Sequence, residues 1–220
     1  MMTRCALLLV MLLTACGREV PPPVSGPAAT EKAAAKPATT PDEESCCADE
    51  PEAGTPLPDA SVYQLDAAWT DQTGAARKLA SFRGHVTIVA MVFTHCAYVC
   101  PRLTADAKGL IAALPEQQRG AVRGLLVSFD TARDNPERLR VWAGEQGLDL
   151  QQWTLLHGDE GAVRELAAVL GVNYQQAPNG DFAHSNLITV LDREGRIAHR
   201  IAGLQVDVAP AVTAIGELLK

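Results

Sequence analysis

Val86–Phe93, reading VTIVAMVF, is a nearly continuous apolar stretch in which Thr87 is the one polar residue. A β-branched run of this length is the pattern of a strand covered on both faces. A helix is predicted to follow it from Pro101, a residue suited to the first helical position, with Leu103, Ala107, Leu110, Ile111 and Leu114 on one face. Val122–Phe129 reads as a second buried strand. Asn135-Pro136 then supplies an N-cap and a proline at the first helical position, opening a helix that turns Leu139, Trp142 and Ala143 inward. Trp153–Leu156 is a short strand. Asp159 caps a helix carrying Val163, Leu166, Ala167 and Leu170, stopped by Gly171. Asn186–Leu191 and Arg196–Ile201 flank an Asp-Arg-Glu-Gly turn and form a hairpin, and a last helix from Asp207 aligns Val208, Val212, Ile215 and Leu219. Val62–Leu65 alternates weakly and is expected to form an edge strand. Strand and helix alternating in this order imply an α/β layered domain, with parallel crossovers and an antiparallel edge.

The first 58 residues follow other rules. Arg4 precedes the apolar run Ala6–Leu13, too short to span a bilayer as a mature helix, and the run ends in Leu13-Thr14-Ala15-Cys16. This resembles a bacterial lipobox. Residues 1–15 are then a lipoprotein signal peptide, and Cys16 becomes a lipidated first residue whose acyl chains suffice for stable anchoring. Nine of the fourteen prolines lie in residues 17–58, and no aromatic residue occurs before Tyr63. Such a segment buries too little apolar surface to offset its ordering entropy, so 16–58 is read as a lipidated flexible tether. Its reach is roughly 35 Å root-mean-square. The globular domain is placed at 59–220. A formal charge of -7, with no Lys/Arg cluster, gives no footprint for nucleic acid.

Export changes what the cysteines mean. Of six, Cys5 leaves with the signal and Cys16 carries lipid, which leaves Cys46, Cys47, Cys96 and Cys100. Outside the cytoplasm free thiols become disulfides unless a reductant or a metal holds them. Cys46-Cys47 sits in the tether among five carboxylates that oppose thiolate formation and concentrate cations. A bond between adjacent cysteines is disfavoured by the short Cα separation of a trans peptide. The pair suits a metal-collecting or exchange element, or is an exposed bystander. Thr94-His95-Cys96-Ala97-Tyr98-Val99-Cys100-Pro101 lies where a buried strand gives way to a helix. Sites form at such strand ends, and helix N-terminal amides favour thiolate. The C-x-x-x-C spacing can present two sulfurs to a metal or let them pair. Thiolates select Cu(I) or zinc, and imidazole suits both. A structural zinc site wants four protein ligands, more than are evident, which favours a low-coordinate copper site.

Three strings resemble the Sco/SenC family of copper-binding, thioredoxin-like proteins. They are Phe93-Thr94 with Cys96, Cys100 and Pro101; Ser128-Phe129-Asp130-Thr131-Ala132-Arg133-Asp134-Asn135-Pro136; and Phe182-Ala183-His184-Ser185 before a Leu-Ile-Thr-Val-Leu-Asp strand. The resemblance runs from about Leu65 to the C-terminus. It implies a thioredoxin-like fold, a central mixed sheet with helices on both faces and a C-terminal hairpin and helix; periodicity alone does not separate that from a flavodoxin-like order. It further implies that Cys96, Cys100 and His184 bind copper. The resemblance also implies a role in assembling the dinuclear copper centre of respiratory oxidases, as metal donor, as reductant of the recipient's cysteines, or both. Ala97, where the family usually has proline, His95 before Cys96, and the Cys46-Cys47 pair depart from the pattern.

These readings give a copper metallochaperone as the expected function. It would hold Cu(I), or Cu(II) with a further ligand, through two thiolates and one imidazole, and deliver it to an exported apo-cuproenzyme, an oxidase subunit or other copper reductase. It is expected in the bacterial cell envelope, lipid-anchored to a membrane and facing the periplasm. The rival is a membrane-tethered thiol–disulfide oxidoreductase using Cys96 and Cys100. His184, 84 residues beyond Cys100, discriminates the two. Auxiliary readings stay open. His95 tunes the thiols, adds a ligand or faces solvent. Asp130 orients His184 or caps the following turn. Arg133 and Asp134 pair or cap the next helix. Tyr98 and Trp69 are expected to pack, and His85, His157 and His199 are assigned no role.

Overall fold

A computed structural model describes residues 58–220. Cys16, Cys46 and Cys47, with the predicted signal and most of the tether, lie outside the described residues. Nine strands and five helices follow in chain order among the described residues: β1 (Trp69–Asp71), β2 (Ala76–Arg77), β3 (Val86–Val92), α1 (Val99–Ala112), α2 (Glu116–Arg119), β4 (Val122–Ser128), α3 (Pro136–Glu145), β5 (Trp153–Gly158), α4 (Glu160–Leu170), β6 (Tyr174–Gln176), β7 (Phe182–His184), β8 (Leu187–Leu191), β9 (Ile197–Ala202) and α5 (Ala209–Leu218).

Seven strands form one mixed sheet in the order β2-β1-β5-β4-β3-β8-β9. β3, β4 and β5 run parallel, while β1 and β8 flank them antiparallel. Every residue of β3 and of β8 is buried. Both faces of the sheet centre are therefore covered, as the nearly continuous apolar run implied. β6 and β7 pair only with each other, in a separate two-stranded hairpin. Among the described residues no helix is long and apolar enough to cross a membrane.

Local signals place most boundaries. Asn135 accepts from the Arg138 amide at 2.9 Å with Pro136 opening α3, and Asp159 accepts from the Ala162 amide at 2.8 Å. Each such cap contributes about 1 kcal/mol. Gly171, at φ 79°, closes α4 in the left-handed conformation that glycine tolerates best. Leu103, Ala107 and Leu110 are fully buried on the predicted face of α1, Ile111 nearly so, and Leu114 is fully buried just past the helix end.

Two expectations are corrected. Val62–Gln64 is a turn of 3-10 helix rather than an edge strand. Val62 and Tyr63, adjacent in sequence, are both buried, which does not suit an edge strand with one face in solvent. Ser61 holds the turn by accepting from the Tyr63 amide. The first helix begins at Val99, so Pro101 is its third residue rather than its first. Its missing N–H still falls among the amides that lack a helical partner.

Candidate metal centre

Parallel pairing in register sets Val92 of β3 beside Ser128 of β4. The two chains therefore leave the sheet together, and the Phe129 amide donates to Val92 O at 3.0 Å. Phe93 and Phe129 meet just beyond, ring centroids 5.3 Å apart. Above this aromatic floor lie the loop 94–98 and the start of α1.

The spacing of the two cysteines follows from helix geometry. Tyr98, the residue before α1, caps nothing with its side chain. The Cys100 amide, one of the first-turn donors without a helical acceptor, instead donates to Cys96 Sγ at 3.2 Å. A sulfur four residues back thus takes the place of a capping oxygen, and the helix keeps both thiols at its N-terminus. Both are free thiols. Cys96 is half-buried, whereas Cys100 is fully enclosed and accepts from the Phe93 amide at 3.4 Å.

Burial decides the protonation of Cys100. It pushes the thiol well above its ordinary range, against the smaller opposing effect of the Phe93 N–H, and nearby Cys96 and Asp134 add to the rise. The helix-terminus expectation of a lowered value fails here, because desolvation outweighs the amide dipoles. Cys100 is a neutral thiol at neutral pH, and a metal must displace its proton.

His184 ends β7. Pairing with Tyr174 across the hairpin, and packing on Phe93 and Phe129 at 6.0 and 5.0 Å, bring its Nε2 to 3.5 Å from Cys100 Sγ. Its Nδ1 lies 3.0 Å from the carbonyl of Ser185. A carbonyl only accepts, so Nδ1 carries the proton and the Nε2 lone pair faces the sulfur. Burial lowers the His184 pKa, more than the Ser185 bond raises it. The imidazole is neutral and able to coordinate.

At this strand–helix junction His184 Nε2 meets Cys100 Sγ, and Cys96 Sγ sits on the Cys100 amide; two soft sulfurs and one neutral nitrogen are a donor set that fits copper or zinc. Among the described residues, the group of three donor side chains whose ligand atoms lie within 4.8 Å of one another is His95, Asp130 and Asp134. Those carboxylates are already engaged. Asp130 accepts from the Arg133 amide at 3.2 Å and from Arg133 Nε at 2.5 Å. Asp134 accepts from the Thr94 amide at 3.0 Å, the Thr94 hydroxyl at 2.5 Å and the Ser128 hydroxyl at 2.6 Å.

The auxiliary residues resolve accordingly. Asp130 caps its own turn and pairs with Arg133; it is not the orienting partner of His184, whose Nδ1 turns to Ser185 instead. Asp134 binds the cysteine loop to β4. The cap of α3 belongs to Asn135. His95 is exposed, with Nδ1 3.4 Å from the Thr94 hydroxyl and 3.7 Å from Asp134. Trp69 is buried, but Tyr98 is 64% exposed rather than packed, with the Arg102 guanidinium 4.4 Å over its ring. The sequence reading missed the buried Thr94–Asp134–Ser128 network. Its trace in the sequence is three polar residues, Ser128, Asp130 and Asp134, crowded at the end of a buried strand.

Residues 60–220 match the SCO1/SenC family. The chain belongs to that family. The SCO1 protein homolog of Bacillus subtilis (strain 168) is 24% identical over 156 residues, spanning 69% of this chain and 80% of the relative. A solved SCO1/SenC family lipoprotein from Bacillus anthracis str. Ames is similar at a TM-score of 0.64 and 21% identity, covering 70% of this chain and 92% of its own. ScoI of Bradyrhizobium japonicum, solved with copper bound, is similar at 0.59 and 24% identity, covering 70% and 97%. These likenesses establish the fold of this SCO1/SenC domain, a mixed sheet with helices in the thioredoxin-like arrangement read from the sequence.

Proposed function

We propose that this chain is a copper carrier that binds one copper ion through Cys96, Cys100 and His184 and passes it to an exported cuproenzyme. The observation that carries the reading is the 3.5 Å approach of His184 Nε2 to Cys100 Sγ, with Cys96 capping the same helix turn. A neutral imidazole with its lone pair aimed at a thiol, 84 residues away in sequence, has a ready use as a third ligand. Family membership supports the choice of copper over zinc, as does the copper-bound relative.

The chain's own groups would act in defined ways. Cys100 yields its proton on loading, and the enclosed side of the site keeps water from it. Cys96, half-buried, is the donor a recipient's ligand reaches first. Cu(I) suits two thiolates and one imidazole, and Cu(II) takes a further ligand. The lipidated Cys16 and the tether to residue 58 would hold the domain at a membrane facing the periplasm, with Cys46 and Cys47 feeding or reducing the site. The recipient is the dinuclear centre of an oxidase subunit or another copper reductase.

One observation favours a second role on the same residues. A half-exposed Cys96 backed by a buried Cys100 is the asymmetry a thiol–disulfide oxidoreductase needs, an accessible attacking sulfur and a protected resolving one. Two measurements on the purified protein separate the roles. A carrier takes up one Cu(I) per chain against a chromogenic chelator and turns over small disulfides poorly. Efficient disulfide turnover with no copper uptake would overturn the proposal.

A further inference from the structure

His184 reaches the cysteines on a hairpin that no backbone ladder joins to the main sheet. The β6–β7 register pairs Tyr174 with His184 and Gln176 with Phe182, and the Ser185 amide closes the base by donating to Asn173 O at 2.8 Å. Open space flanks the hairpin on two sides. One groove of about 490 Å³ is lined by Phe129, Asp130, Tyr174 and Phe182 among others, and one of about 470 Å³ by Tyr174, Ala183 and His184 among others. Ring packing gives the hairpin a footing, with Phe182 at 5.3 Å from Phe93 and 5.0 Å from Phe129. Apolar ring contacts are non-directional, however, and do not by themselves fix its tip.

A single side chain supplies that direction. Arg133, in the turn after β4, donates from Nε to Asp130 Oδ2 at 2.5 Å and from a terminal nitrogen to the Gly180 carbonyl at 2.5 Å. Gly180 is the turn residue of the hairpin, at φ 84°, and its amide donates to Ala177 O. A Cβ on Gly180 would stand 3.5 Å from the guanidinium, so the two are in contact. The Arg133 carbon centre also lies 6.0 Å from the Phe182 ring. Asp130 is fully buried and receives two bonds from Arg133, so the guanidinium is anchored at its root. Its planar fork then spans from the end of β4 to the tip of the separate hairpin, a reach a lysine ammonium does not duplicate.

We infer that Arg133 is a positioning residue for His184, a latch that fixes the β6–β7 hairpin over the cysteine pair. The part of this inference that concerns metal affinity rests on His184 being a copper ligand; the mechanical part does not. With the latch closed, the imidazole is held against Cys100 before any ion arrives, and loading need not bear the cost of ordering it. With the latch open, the hairpin is free to lift and take one ligand away while both sulfurs stay in place.

The test uses the full chain with Arg133→Gln and Arg133→Lys, the second preserving charge should the first fail to fold. In the metal-free protein, hydrogen exchange at the hairpin amides of Ala177, Gly180 and Ser185 is expected to speed up about 10- to 100-fold, the worth of one charge-assisted hydrogen bond. Exchange in β3 and β4 should stay as in the parent. With Cu(I) in chelator competition, Arg133→Gln should weaken binding by a similar factor, and adding His184→Ala to it should cost no more than His184→Ala alone. Unchanged hairpin exchange in both variants overturns the latch, as does acceleration spread evenly over the sheet. A parent that takes up no copper refutes the proposed function, and the exchange data then decide the latch alone.

Discussion

Replacing Asp134 with alanine removes the tie between the cysteine loop and the sheet. The carboxylate is 1% exposed and accepts from the Thr94 amide, the Thr94 hydroxyl and the Ser128 hydroxyl. Without it the Thr94 amide has no acceptor. The two hydroxyls lose theirs but remain acceptors, Thr94 for Arg138 Nε at 3.1 Å and Ser128 for the Asp130 amide at 3.1 Å. At about 1–3 kcal/mol for a buried donor left unpaired, one stranded amide and two part-compensated hydroxyls sum to about 3–5 kcal/mol. In a domain of this size that corresponds to a fall in Tm on the order of 10 °C. Asp134→Asn keeps the shape and one acceptor oxygen, and about 1–2 kcal/mol is expected from it. Urea unfolding of the metal-free protein measures both, read from the midpoint with the slope unchanged. The same variants remove a negative charge that helps raise the Cys100 thiol, so its alkylation should quicken in Asp134→Asn. An unfolding free energy for Asp134→Ala within about 0.5 kcal/mol of the parent would refute the reasoning.

Two further predictions concern stability. Folding raises the Cys100 pKa above its unfolded value near 8.5, so its contribution is whole below about that pH and is lost as pH rises towards the folded value. Folding lowers the His184 pKa from about 6.5, so its contribution is lost as pH falls below that. Metal-free stability should therefore decline on both limbs, the alkaline limb flattening in Cys100→Ala and the acid limb in His184→Ala. Asp159→Ala deletes the cap of α4 and should cost about 1 kcal/mol in urea unfolding, with no change in thiol reactivity.

What the sequence disclosed depended on how local each signal was. The caps at Asn135 and Asp159, the stop at Gly171 and the apolar face of α1 are written within a few residues, and each reads correctly. Cys96 and Cys100 are legible for the same reason, since a strand end, a C-x-x-x-C spacing and a proline stand together. His184 is different. It is carried by Tyr174–Gln176 and Phe182–His184, three-residue strands without apolar alternation, so nothing local announces it and family resemblance alone pointed there. Val62–Leu65 has the pattern of a strand, but its neighbouring apolar residues bury through a helical turn tied to the β8–β9 loop, Val62 N to Gly195 O. The roles of Arg133 and Asp134 exist only once β4, the cysteine loop and the hairpin are assembled. Asp130, read partly as a support for His184, supports Arg133 instead, since tertiary packing places the imidazole's Nδ1 beside its own neighbour's carbonyl.

The central claim is that Cys96, Cys100 and His184 act together as copper ligands. The most direct measurement is Cu(I) affinity by chelator competition in the purified parent and in Cys96→Ser, Cys100→Ser and His184→Ala, with Cu(II) spectra recorded alongside. The account predicts one tightly held ion in the parent, a fall of at least about 100-fold in each variant, and loss of nitrogen hyperfine coupling in His184→Ala alone. Parent-like affinity in His184→Ala for both copper ions would contradict it.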